Sequence, residues 1–300
     1  MSKNQIIARL EGDTPVVSVE FFPPKTEAGA EQILEAARAL QGRDIAFASI
    51  TCGAGGSTRG LTLEYGRLLR EEFHFHVVPH VTCAGYSRRE LEEMLDYLIE
   101  AKFPGFMALR GDPPKDSGGI FKHPPNGLAH ASDLVALARE RCRLRGVSAE
   151  DFSIGVAGYP GKHPESSDAA ADMHWLAHKV AQGSDFITTQ LFFDNAVYFD
   201  FVVRCREIGI KVPVLPGILP LPSIAQAHKF SAFSGVTIPV ALMEKLESCG
   251  SDSEAAEKIG LEWAFSQISE LLACGAPGFH LYILNRAKPA LSLLSRLANR

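Results

Sequence analysis

Pro15-Val16-Val17-Ser18-Val19-Glu20-Phe21-Phe22-Pro23-Pro24 reads as a buried strand that carries one carboxylate and stops at two prolines. Alternation places Ser18, Glu20 and Phe22 on one face and Val17, Val19 and Phe21 on the other. Neither proline can donate a ladder hydrogen bond, so the strand ends there. Glu20 is thereby set near the C-terminal end of a strand among apolar neighbours, where desolvation disfavours the charged form of a carboxyl group. A carboxyl kept protonated suits a general acid at neutral pH. The competing reading is a structural Glu paired with an arginine across a core.

Outward from this strand, helical and strand patterns alternate to the end of the chain. Ile33, Leu34, Ala37 and Leu40 make a helical stripe, and a short apolar strand over 47–52 runs into Gly53-Ala-Gly-Gly-Ser-Thr58. A helix is expected near 61–70 and a strand over 77–83. Ser87 with Glu90 forms a capping box before a helix whose stripe is Leu91, Met94, Leu95, Leu98 and Ile99. Further strands are expected over 105–110, 152–158, 186–193, 212–218 and 279–284. Further helices are expected over 132–145, 168–182 and 195–208, in two short segments within 223–248, from a Ser251/Glu254 cap to 274, and after Asn285. Residues 113–130, rich in Gly, Pro, Lys and His, read as a long loop on the surface or over a site.

Eight strands separated by helices, without a linker or a shift in composition, predict an α/β protein. The expected form is a (β/α)8 TIM barrel, a single domain over 1–300 with extra helices between its seventh and eighth strands. A doubly wound open sheet is the alternative. The net charge of −5 argues against a nucleic-acid partner. No apolar run is long enough to span a membrane, and residues 1–11 lack the apolar core of a signal peptide, so a cytoplasmic location is expected. Six scattered cysteines without a CxxC pair read as reduced thiols, not as a disulfide framework or a metal site.

In such a barrel the active site lies at the C-terminal ends of the strands. The polar residues at or near those ends are Glu20, Thr51, His80, Thr82, Arg110, Asp112, Tyr159, His163, Gln190, Tyr282 and Arg286. A purely structural barrel has no reason to gather so many at one mouth.

The stretches Ser18-Val-Glu-Phe-Phe-Pro-Pro24, Thr51-Cys-Gly-Ala-Gly-Gly-Ser57, Pro79-His-Val-Thr82, Leu109-Arg-Gly-Asp-Pro113, Tyr159-Pro160 with His163-Pro-Glu165, Thr189-Gln-Leu-Phe-Phe-Asp194, Pro216-Gly-Ile-Leu-Pro220 and Leu284-Asn-Arg286 resemble, in order, the methylenetetrahydrofolate reductase family. The resemblance implies a barrel that holds FAD non-covalently and feeds methionine synthesis. It implies reduction of 5,10-methylenetetrahydrofolate to 5-methyltetrahydrofolate by ping-pong kinetics, with NADH or NADPH as hydride donor. It also implies a homo-oligomer of the short bacterial type, without a C-terminal regulatory domain.

Residue by residue, the resemblance assigns Glu20 as proton donor and Asp112 as the carboxylate beside flavin and pterin. It places Gln190, Gln226, Phe230, Tyr282 and Arg286 with Asp112 as substrate contacts, Arg286 on the glutamate carboxylate. For FAD it points to Thr51, His80, Arg110, Gly111, Asp112, Ala131, Tyr159, His163, Asp172 and Lys179, with Arg110 and Lys179 toward the pyrophosphate. The sequence departs from the family pattern at His130, His178 and Trp175 and in the loop over 113–130. Three alternatives remain: a flavin-free barrel acting on a pterin or carbonyl compound, a flavoprotein reduced by a partner protein, and a non-catalytic folate-binding subunit.

Overall fold

The computed structural model describes residues 4–54, 58–113, 121 and 124–298. Eight strands close into a barrel in chain order: β1 (Val16–Phe21), β2 (Phe47–Ile50), β3 (Val77–Thr82), β4 (Gly105–Leu109), β5 (Ser153–Gly158), β6 (Phe186–Leu191), β7 (Val214–Ile218) and β8 (Gly278–Tyr282). All neighbours are parallel, and β8 returns to β1 with Ser18 opposite His280 and Glu20 opposite Tyr282. The helices are α1 (Gln5–Leu10), α2 (Glu27–Leu40), α3 (Arg59–Glu71), α4 (Arg88–Glu100), α5 (Ala131–Leu144), α6 (Ala169–Ala181), α7 (Asn195–Glu207), α8 (Ile224–Ser234), α9 (Val240–Ser248), α10 (Ser253–Ala273) and α11 (Ala287–Ala298).

The period of two along each strand sorts side chains into two cores. Val19, Phe21, Ile50, Phe106, Ile154 and Leu281 point outward and pack with the helix stripes, such as Ile33, Ala37 and Leu40 of α2. Val16, Phe47, Val78, Met107, Phe186 and Leu215 fill the barrel's lower interior. Ile6 and Leu10 of α1 join that interior cluster and close the N-terminal end. Asn4 caps α1 by accepting from Ile6 N, while its Nδ2 donates to Pro104 O at 2.5 Å and Asp151 O at 3.1 Å. The sequence offered no element here, because only two of the helix's six residues are buried.

The predicted barrel and its extra helices before the last strand are present, with corrections at the edges. The cap of α10 is Asp252, whose carboxylate accepts from Glu254 N and Ala255 N, and not Ser251. β6 stops at Leu191, and Phe192 and Phe193 are buried beyond it. Gly55 to Ser57 of the glycine run, and 114–120, 122 and 123 of the long loop, lie outside the described residues.

α8, α9 and α10 cover one side of the mouth through Leu191, Phe193, Leu219, Leu221, Leu242 and Leu246. Gly260 lets α10 approach closely, since a Cβ there would stand 1.8 Å from Leu221 O. All six cysteines are unpaired, and among the described residues no helix is long and apolar enough to cross a membrane.

Candidate active site

Glu20 lies in the upper interior, 7% exposed. Its Oε2 stands 3.4 Å from Nε2 of His80 on β3 and 3.6 Å from Nε2 of His280 on β8. The sequence alternative, an arginine partner, is not what the structure places there: both groups are imidazoles. Nδ1 of His280 lies 2.7 Å from Ser18 Oγ, and its ring stacks on Phe47 below at 6.0 Å. Burial pushes His80 below the usual histidine pKa, opposed by the charge of Glu20 and reinforced by His280. His80 therefore faces the carboxyl as a neutral ring near pH 7.

Tyr282, one layer above His280, donates its hydroxyl to Thr189 O at 2.8 Å. Burial, then the charges of Glu20 and Tyr159, raises its pKa well above the usual phenol value, so it stays neutral. Gly217 makes room for it: a Cβ there would meet Thr189 O at 2.4 Å and the Tyr282 ring at 2.7 Å.

A second group lines the mouth at β4, β5 and α6. Arg110 forms a two-pronged pair with Glu165, at 2.5 and 2.8 Å, and its guanidinium lies over the Phe121 ring at 4.7 Å. Gly111 holds φ +84°, and a Cβ there would come within 2.8 Å of Thr82 and 2.9 Å of Ala84, so only glycine fits. Asp112 is exposed at the rim. Tyr159 meets the His163 ring edge-on at 4.6 Å, and burial, then the charge of Asp112, pushes its hydroxyl up to about 12. His163 N donates to Asp172 Oδ2 at 3.0 Å, while His163 Nδ1 accepts from Glu165 N at 3.1 Å.

Lys179 donates to Ala157 O at 2.6 Å. Burial pushes its ammonium down to about 8, against the charge of Asp172. Among the described residues no carboxylate reaches ion-pair distance of that amine. Ala131 opens α5 behind His130, whose ring stacks with the exposed Trp175 at 6.1 Å.

The remaining predicted residues lie at the rim of the mouth or beyond it. Thr51 engages through its backbone, with N donating to Phe21 O at 3.0 Å and O accepting from Thr62 Oγ1 at 2.9 Å. Gln190 is half-buried at the end of β6 and turns its Oε1 onto Leu191 N at 2.9 Å. Gln226 and Phe230 sit half-buried on α8, and Phe230 packs in the same cluster as Tyr282 and Leu284. Arg286 bonds Glu257 of α10 at 3.1 Å, and Lys288 approaches the same carboxylate at 3.8 Å.

The structure thus joins Glu20, His80 and Tyr282 inside the barrel, and Arg110, Tyr159, His163, Asp172 and Lys179 at the rim. Gln226, Phe230 and Arg286 lie on the α8–α11 side. Two partners escaped the sequence reading, His280 and Glu257, while Glu165 stood in the quoted His163-Pro-Glu165 stretch without its pairing to Arg110. A histidine in the otherwise apolar strand Gly278-Phe-His-Leu-Tyr282 was a readable signal; Glu257 carried none. The rim set suits a dinucleotide. An ammonium short of counter-charge and a guanidinium match a diphosphate in charge, and neutral Tyr159 and His163 have the donors and faces that planar rings require. Arg110 must exchange Glu165 for any such ligand. Among the described residues no metal-binding group occurs.

The chain matches the family model described as methylenetetrahydrofolate reductase over residues 5–298. It is 34% identical to the 5,10-methylenetetrahydrofolate reductase of Pectobacterium carotovorum over 297 residues, covering 99% of this chain and 94% of that one. It is 35% identical to methylenetetrahydrofolate reductase (NADH) 1 of Arabidopsis thaliana over 289 residues, covering 93% of this chain but 48% of that one. The chain therefore spans about half the length of that plant relative. Among solved structures, an uncharacterized protein from Clostridium thermocellum that binds two copies of 5-methyl-5,6,7,8-tetrahydrofolic acid superposes with TM-score 0.65 at 16% identity, covering 98% of this chain and 96% of that one, a likeness of fold.

Proposed function

Because the chain belongs to the methylenetetrahydrofolate reductase family, we propose that it reduces 5,10-methylenetetrahydrofolate to 5-methyltetrahydrofolate, with NADH as donor and FAD held non-covalently at the β4–β5–α6 rim. The observation that carries the proposal is Glu20. It is a carboxyl in the barrel interior, beside two imidazoles, at the strand ends where a (β/α)8 barrel does its chemistry.

The substrate's five-membered ring opens when the bond from the methylene carbon to N10 breaks. N10 takes up a proton, and the methylene becomes an iminium on N5. Hydride then arrives at that carbon and leaves a methyl group. The chemistry a bound FAD supplies is relay of that hydride from the nicotinamide in a ping-pong sequence. Glu20 delivers the proton to N10. Asp112 stabilises the cationic iminium by its charge. Gln190, once released from Leu191 N, offers a donor and an acceptor to the pterin edge. Phe230 lies against the planar ring, and Arg286 trades Glu257 for the substrate's glutamate carboxylate. Tyr282 remains a neutral hydroxyl at the wall of the pocket. Arg110 and Lys179 neutralise the diphosphate.

The test is an absorbance spectrum of the purified chain loaded with FAD, followed by anaerobic NADH, NADPH and methylenetetrahydrofolate in turn. The expected course is a flavin band that NADH bleaches and the folate restores. A band that neither nucleotide bleaches transfers the donor role to a partner protein. A chain that takes up no FAD ends the proposal.

A further inference from the structure

Ser18 Oγ is fully buried, and among the described residues His280 Nδ1 is the one polar atom within its hydrogen-bonding reach. A serine hydroxyl carries one proton to donate. If Nδ1 held the ring proton and donated to Oγ, the hydroxyl proton would be left in the barrel interior without an acceptor, a loss of about 1–3 kcal/mol. The hydroxyl therefore donates to Nδ1. That leaves the ring's own proton on Nε2, the atom that faces Glu20 Oε2 at 3.6 Å. His280 is 2% exposed and stacked on Phe47, so its ring cannot turn away.

We propose that Ser18 and His280 form a positioning pair for the acid: Ser18 fixes the Nε2–H tautomer of His280, and that N–H claims Oε2 of Glu20, so that the transferable proton sits on Oε1. The proposal rests on the reading of Glu20 as proton donor. In the acid form, an N–H aimed at Oε2 makes that oxygen the acceptor and leaves the O–H on its twin. When Glu20 gives its proton to N10, the carboxylate keeps the Nε2–H bond, which is stronger to a charged acceptor. No proton passes to or from His280 in this step. The 3.6 Å contact is longer than a formed hydrogen bond, and catalytic contacts commonly tighten only once ligand is bound. The other titratable groups that face Glu20 are His80 from β3, whose Nε2 stands 3.4 Å from the same Oε2 and so shares that oxygen with His280, and Tyr282 from β8.

The tautomer can be read without any cofactor. In a long-range proton–nitrogen correlation spectrum of the histidine rings, His280 is expected to show a protonated Nε2 and a bare Nδ1 in the native chain and in Ser18→Thr. Ser18→Ala is expected to lose that preference. In the FAD-loaded enzyme, Ser18→Ala slows reoxidation by the folate about 10-fold and His280→Leu about 100-fold, within the range of acid–base contributions. Flavin reduction by NADH stays within about twofold, since that half-reaction needs no proton from Glu20. His280→Gln, whose amide N–H can take the place of Nε2–H, recovers most of the rate, and the acidic or basic limb of the pH profile moves in His280→Leu but not in His280→Gln.

Protonated Nδ1 in the native spectrum overturns the proposal. So does a parallel fall of both half-reactions with an unmoved pH profile, which marks a merely structural role. Glu20→Gln separates the two readings. If Glu20→Gln reduces folate normally, the proton-donor role itself fails; if Glu20→Gln is impaired and His280→Leu is not, only the positioning pair fails.

Discussion

Asn285 holds Phe22 by both backbone groups: its Oδ1 accepts from Phe22 N at 2.9 Å, and its Nδ2 donates to Phe22 O at 2.9 Å. Phe22 is two residues past Glu20, and Asn285 is three past the end of β8, so the clamp ties the last strand's exit to the acid's strand. Asn285 has φ 56° and Leu284 φ 50°, a left-handed pair that asparagine tolerates and leucine resists. Asn285→Ala removes both bonds and the residue suited to that conformation. The expected cost is about 2–4 kcal/mol, from two hydrogen bonds and one strained residue. Thermal melting should show a drop of several degrees. Folate turnover should fall further than NADH oxidation, because the loosened segment adjoins Glu20.

Glu20→Gln keeps the shape of the side chain and removes the acid. The expected result is normal FAD content, normal flavin reduction by NADH, and a fall of about 10²–10⁴ in the folate half-reaction. Stopped-flow traces of the two half-reactions decide it. Normal turnover with methylenetetrahydrofolate would refute the role given to Glu20.

Lys179 makes cofactor affinity and stability depend on pH in opposite ways. Its ammonium titrates at about 8 in the folded chain against 10.5 when unburied. Below pH 8 it is charged in both states and its desolvation opposes folding in full. Between 8 and 10.5 the unfolded chain binds the proton that the folded chain has released, so stability rises with pH. Lys179→Met should therefore melt higher than the native chain at neutral pH, with the advantage fading toward pH 10.5. A diphosphate needs the charged amine. FAD affinity of the native chain should weaken as pH climbs from about 7 to about 9, and Lys179→Met should bind weakly with that slope lost. Titration of FAD by fluorescence across this range measures it.

Arg286 is assigned to the far end of the substrate, away from the bond that breaks. Arg286→Leu should raise KM for the folate about 10-fold or more and leave kcat nearly unchanged, the signature of binding spent equally on ground and transition states. Glu257→Gln weakens the competing partner at 3.1 Å and should lower KM modestly. Steady-state kinetics with methylenetetrahydrofolate at saturating NADH reads both.

How much of this was legible beforehand follows from what a sequence carries locally. The period of two in β1 and the two prolines after it are local, and they located Glu20 correctly. The capping box at Ser87 and Glu90 is local too, and both of its bonds are present. His280 was not singled out, because its meaning comes from Ser18 and Glu20 on the far side of the chain's closure. Glu165 stood in a quoted stretch with no partner named and Glu257 in none, and only the fold sets them against Arg110 and Arg286. α1 was missed because two buried residues are too few to make a stripe, and what holds it is a plug fit into the barrel end. The cap of α10 moved from Ser251 to Asp252 because the Glu254 that suggested a capping box lies two residues past a better acceptor.

The bond from Ser18 to His280 joins residues 262 positions apart in the chain. On the ribosome, β1 emerges among the first strands and waits for nearly the whole of synthesis before β8 arrives. Through that interval one edge of β1 has no neighbour, and a bare apolar strand edge is a template for pairing with another chain. The acid centre is therefore complete only once the eighth strand arrives: any chain released short of β8 carries Glu20 but none of its β8 neighbours. Recovery of folate turnover during refolding should accordingly lag behind recovery of helical signal, because closing the seam is the contact of longest loop and slowest formation.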